Sequence, residues 1–169
     1  MQKKSLLLFI AFTFIACGEN SNQKSLEVIQ ETAQKEIGCI EILNKNSIQE
    51  VFKEAKEIDV LIDMPERHYC QYIFKLSNES YSAYLTIGVL NTATKETLEQ
   101  AVSVTSKQTL LKNVGEKAYR TSVGTGQISA LANGDLIHVA VGKRSNRGPD
   151  EFDEEKSKDL TNHIFNIMK

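Results

Sequence analysis

The chain has no tryptophan, two prolines and three histidines in 169 residues. Aromatic residues make up 7% of it, too few for the stacking platforms that sugar binders rely on. An excess of positive charge is also missing. Twenty Lys and Arg stand against 22 Asp and Glu, a net charge of −2, whereas a general nucleic-acid binder presents a basic face. With three histidines, neither a His-x-x-x-His nor a His-Glu-x-x-His pair occurs, which removes the commonest zinc signatures. A Gly-x-Ser-x-Gly elbow is absent, and Gly124-Thr125-Gly126 leads into a strand pattern, so it lacks the helix start that binds phosphate. No apolar run approaches the ~20 residues that a membrane span requires. What is present is ordinary for a globular domain: 41% hydrophobic and 25% charged residues.

The first 17 residues carry the strongest signal. Met1-Gln2-Lys3-Lys4 is a short basic segment, and Ser5 to Ala16 is a nearly unbroken apolar run of twelve. Together they have the anatomy of a secretory signal, and the polar stretch from Gly18 to Ser25 prevents extension into a span. The exit, Phe14-Ile15-Ala16-Cys17, resembles the bacterial lipobox, with Phe14 where that motif usually has Leu. The resemblance implies cleavage before Cys17, a diacylglycerol on its thiol and acylation of the new amino terminus. The alternatives are an ordinary secretory signal with an incidental Cys, or an uncleaved anchor. One acyl chain holds a protein reversibly and two or more hold it stably, at ~0.8 kcal/mol per buried CH₂. A lipidated Cys17 would therefore fix the domain to the bacterial envelope, on its periplasmic or cell-surface side.

Cys17, Cys39 and Cys70 are all the cysteines. An odd count in an exported chain flags one spare thiol. Lipidation of Cys17 accounts for it and leaves Cys39 and Cys70 to form a disulfide in an oxidising compartment. Such a bridge closes a loop of roughly 30 residues, worth on the order of 3–4 kcal/mol in the chain-entropy model. The alternative is two separate buried thiols.

Residues 17–37 read as the lipidated Cys and a tether, with Leu26, Ile29, Ala33 and Ile37 at helical spacing. A single domain is expected over residues 38–169. Ser47 and Glu50 suggest a capping box for a helix carrying Ile48, Val51, Phe52 and Ala55. Val60–Asp63 is expected to be a short extended stretch. Two alternating segments, His68–Leu76 and Tyr81–Leu90, predict a hairpin with Cys70, Tyr72 and Phe74 inward. Thr94–Gln108 returns to helical period. Lys117–Val123, Gln127–Ala132 and Leu136–Gly142 follow as strands, the last two joined at Asn133-Gly134, the pair that a type I′ turn favours. Asp150 is expected to cap a final helix with Leu160 and Ile164 on its buried side, and Glu151, Asp153, Glu154 and Glu155 suit that helix's positive end. The class is α+β: a mainly antiparallel sheet of about five strands with about three helices packed on it.

Three stretches then resemble a known group. Cys39-Ile40-Glu41-Ile42-Leu43, Cys70-Gln71-Tyr72 and Gly115-Glu116-Lys117-Ala118 are similar to the pattern of small bacterial lipoproteins that carry a two-cysteine domain of unknown function. The layout is similar to PsbP-like α/β/α sandwiches and to extracytoplasmic sensor domains of bacterial kinases. That group often has Trp two residues after the second Cys, where Tyr72 stands here. The resemblance implies a fold, a disulfide and an address, and no catalytic residues or cofactor.

Other polar groups read mostly as surface. Asp63, Glu66 and His68 lie close in sequence, but Pro65 interrupts them and a solvated turn is expected. His138 falls on the face opposite Ile137 and Val139. Lys143, Arg144 and Arg147 form a small basic loop that could touch an anionic surface. The expected function is a non-catalytic binding domain for an envelope protein partner. The second reading is a small-molecule sensor or carrier with a pocket between sheet and helix.

Overall fold

Alternation of apolar and polar residues builds the centre of the fold, because successive strand side chains point to opposite faces. A computed structural model describes residues 38–88 and 92–169. The signal, Cys17, the tether and the helical spacing over 26–37 lie outside the described residues. β2 (Tyr69–Leu76) and β3 (Glu79–Ile87) form an antiparallel hairpin in which Cys70 faces Leu85, Tyr72 faces Ala83 and Phe74 faces Tyr81. β3 pairs in turn with β7 (Asp135–Lys143), setting Leu85 opposite Val139 and Ile87 opposite Ile137. β6 (Gln127–Ala132) runs back from β7 through Asn133 and Gly134, whose φ values of 53° and 83° are those a type I′ turn needs. β5 (Lys117–Thr121) and β4 (Gln108–Leu111) complete one flank, and β1 (Ala55–Met64) the other. The spatial order is β1-β2-β3-β7-β6-β5-β4, all antiparallel, and β8 (Glu151–Phe152) pairs the end of β7.

Among the described residues the sheet thus has eight strands and is accompanied by four α-helices, which corrects the expected five strands and three helices. Each added element is one whose pattern is weak. β1 is an edge strand with mostly exposed residues, and register shifts between Lys56 and Asp59 and between Val60 and Ile62 destroy its period of two. Its first residue, Ala55, was expected to extend the preceding helix, but α2 (Lys45–Val51) stops at Val51. β4 is four exposed or half-exposed residues at the opposite edge, beginning at Gln108 where the expected helix was to end; α3 (Lys95–Ser103) stops before it. β8 has two residues, and α1 (Cys39–Ile42) has four, too few for periodicity to show.

The helix caps also differ from expectation. Asn44, not Ser47, caps α2 by accepting the Ser47 N–H at 3.0 Å. Asp153, not Asp150, caps α4 (Glu154–Ile167) by accepting the Lys156 N–H at 3.0 Å. Asp150 is three residues earlier and engaged elsewhere.

The two faces of the sheet have different fates. On the inner face Cys70, Tyr72, Ala83, Leu85, Ile128, Ala130, Ile137 and Val139 are buried under Leu160, Ile164 and Phe165 of α4, with α1 and α2 alongside. A fully buried Leu or Ile contributes ~1.5–3 kcal/mol. On the outer face α3 places Leu98 and Val102 against Leu131 and Leu136, with Tyr119 packed beside them. This covers one end of the outer face. The residues beyond it are mostly polar, among them Tyr69, Tyr84, Thr86 and His138.

Candidate functional site

Register assembles a row across the outer face. Tyr69 of β2 stands opposite Thr86 of β3, Thr86 opposite His138 of β7, His138 opposite Ser129 of β6, and Ser129 opposite Tyr119 of β5. α3 claims Tyr119, and Ser129 is buried at 1% exposure. Tyr69, Thr86 and His138 are left half-buried on an open floor, with Tyr84 and Ala140 as the next cross-strand pair. Two loops rise at the sides, residues 122–126 between β5 and β6 and residues 144–150 between β7 and β8. Together they bound a cleft of about 490 Å³. That volume lies within the range of small-molecule sites. Gly126 is needed at the rim: its φ is 136°, and a Cβ there would stand 2.9 Å from the Phe152 ring.

Asp150 ties one rim to the floor. Ser82 and Tyr84 of β3 donate their hydroxyls to its Oδ2, the latter at 3.4 Å, and the Ser145 N–H donates to its Oδ1 at 3.4 Å. Three neutral donors therefore occupy its two oxygens. His138 is held from below. Its Nδ1 lies 2.8 Å from the Ser129 hydroxyl, and the Gln127 amide donates to Nδ1 at 3.4 Å and to Ser129 Oγ at 3.3 Å. With both neighbours able to donate to Nδ1, the ring proton belongs on Nε2. Burial holds the imidazole below its ordinary value, so it is neutral near pH 7. Burial, and then the neighbouring Tyr84, raise the Tyr69 phenol, which keeps its proton. The floor is a set of neutral N–H and O–H groups.

Arg144 stands exposed at the rim. Its backbone N–H donates to the Ser80 carbonyl at 2.8 Å, which fixes where the side chain begins. Among the described residues no carboxylate pairs with its guanidinium. The Ser129–His138 pair has no orienting acid among its partners, and Ser129 is covered. Among the described residues no group of three His, Cys, Asp or Glu side chains could hold a metal ion.

The residues singled out from sequence fall in separate places. Cys39 opens α1 and Cys70 lies on β2; both are buried and carry free thiols, and they stand as a near pair at 2.6 Å. Burial pushes the Cys70 thiol up to about 11, with the Tyr72 hydroxyl acting in the opposite direction. Little thiolate exists at neutral pH, so this is not the environment of a reactive cysteine. The three cations of the basic loop have different surroundings. Lys143 is ion-paired with Glu79, Arg144 lines the cleft, and the Arg147 N–H donates to Ser145 Oγ at 3.2 Å within the loop. His68 follows the short 3₁₀ turn Pro65–Arg67 in a left-handed conformation.

Tyr69, Tyr84, Thr86 and Gln127 escaped sequence reasoning. Their only sequence signal is that they occupy the phase opposite the buried residues, which by itself reads as solvent-facing. Bringing four strands into register is what turns that phase into a floor. The cleft is on the face of the sheet away from α4. Compared with known family models, curated proteins and solved structures, the chain matches none.

Proposed function

We propose that this is a lipid-anchored extracytoplasmic bacterial protein whose domain binds a small molecule in the outer-face cleft. The observation that carries the reading is the cleft itself: about 490 Å³, bounded by two loops, with Tyr69, Tyr84, His138 and Arg144 converging on it. A concave site with a few placed polar groups is what ligand binding requires. The signal and lipobox-like segment over residues 1–17 support the address, and the sensor-domain resemblance points the same way.

A protein-partner surface has less support. Among the described residues the exposed large apolar side chains are spread over the molecule, with Ile40 on α1, Val60 and Leu61 on β1, Val104 after α3, Leu110 on β4, Val123 in the loop after β5 and Ile167 on α4. In the same proposal Cys39 and Cys70 form a disulfide once the chain reaches an oxidising compartment, clipping α1 to β2. Their burial and proximity support this.

The test is a fragment screen by saturation-transfer NMR on the full chain in mild detergent, repeated with Ala140→Trp. Ala140 is on the cleft floor, so the indole would fill the space from below. Fragments that bind the wild type are expected to lose their signal with the variant. Signals that persist unchanged would place the binding elsewhere and defeat the proposal.

A further inference from the structure

The charges around the cleft are unequal in what they already have. Asp150 receives hydrogen bonds from Ser82, Tyr84 and the Ser145 backbone, so it has little capacity left for a guest cation. Arg144 reaches the same cleft with no acidic partner among the described residues. Other polar wall groups offer donors, namely the Tyr69 hydroxyl, the Thr86 hydroxyl and the Nε2–H of His138, while the Tyr84 proton is committed to Asp150 and Thr125 and Gln127 add further polar groups. A donor-rich wall with one unpaired guanidinium calls for an acceptor-rich, negatively charged guest, and a planar guanidinium fits a carboxylate with two parallel hydrogen bonds. Among the described residues Arg144 is the one cation lining the cleft, and that limits the charge of the guest. A dianion would face the Asp150 carboxylate on the same rim without a second cation to offset it. Ala140, Val123, Pro149 and the two tyrosine rings add apolar and aromatic lining.

Building on the small-molecule reading above, we infer that the cleft selects a small organic monoanion, a carboxylate on an apolar or aromatic body, with Arg144 taking the carboxylate and the tyrosine and histidine wall holding the body. Neither Lys143, bound to Glu79, nor Arg147, outside the cleft lining, substitutes for Arg144.

The test uses the full chain in mild detergent and matched probes: benzoate, 4-hydroxyphenylacetate and cyclohexanecarboxylate, each against its neutral amide. Binding is read by calorimetric titration. A hydrogen bond to a charged group outweighs a neutral one enough to give each acid an advantage of about tenfold over its amide. Arg144→Gln, at an exposed loop position, is expected to remove that advantage. Arg147→Gln, in the same loop, is expected to leave it intact. Inorganic phosphate and phosphatidylglycerol vesicles are titrated alongside, and neither is expected to displace the acids. Equal binding of acids and amides, or an advantage that survives Arg144→Gln, would overturn the monoanion assignment while leaving the cleft as a small-molecule site. Arg144-dependent binding of phosphate or of the vesicles in place of the acids would overturn it in favour of a phosphate group. If no acid or amide binds at all, the small-molecule reading falls with it.

Discussion

His138 shows how one side chain joins fold and site. In the strand it occupies the polar phase beside Ile137 and Val139, and that much is visible in the sequence. Its partners Ser129 and Gln127 are on another strand, and no local pattern announces them. Because burial depresses its folded-state value below the ordinary 6.5, the unfolded chain takes up a proton first as pH falls. Its effect on stability is nil above about 6.5 and increasingly unfavourable below that, until the folded ring itself is protonated. His138→Gln keeps a polar group on the floor and removes the titration. Urea denaturation at about pH 7.5 and about pH 5.5 is expected to show a larger loss for the wild type than for the variant. Equal losses would mean that His138 is not buried as described.

At the scale of elements, legibility followed pattern strength. β2, β3, β6, β7 and α4 have clean periods and were legible. β1, β4 and β8 were not, since bulges, an exposed edge and a length of two residues erase the alternation that identifies a strand. Asp150 is the instructive case. As an acid near the start of a helix it reads as a cap, yet Asp153 does that work and Asp150 fastens the 144–150 loop to β3. Asp150→Ala would leave the Ser82 hydroxyl, fully buried, with only the Gly142 carbonyl at 3.5 Å. The expected cost is ~1–3 kcal/mol in urea denaturation, the usual penalty for an unsatisfied buried polar group. The loop should also open, with faster amide exchange at residues 144–149. An unchanged stability and an unchanged exchange rate would show that Asp150 is not the fastener.

At the scale of the whole domain, one sheet carries two kinds of face. The inner face was legible as a list of apolar residues, because burial by α4 selects for them directly. The outer face was not, because α3 covers one end and leaves the other open, and only the cross-strand order β2-β3-β7-β6 assembles Tyr69, Thr86 and His138. The proposed lipid on Cys17 would keep the domain at a membrane. Non-denaturing mass spectrometry of the protein extracted from its own membranes, with a thiol label added before and after reduction, tests anchor, staple and guest together. The account predicts residues 17–169 plus acyl chains, no label until reduction, and a non-covalent small-molecule adduct that Ala140→Trp lacks. An unacylated chain with two labelled thiols and the same adduct-free mass in both proteins would contradict it.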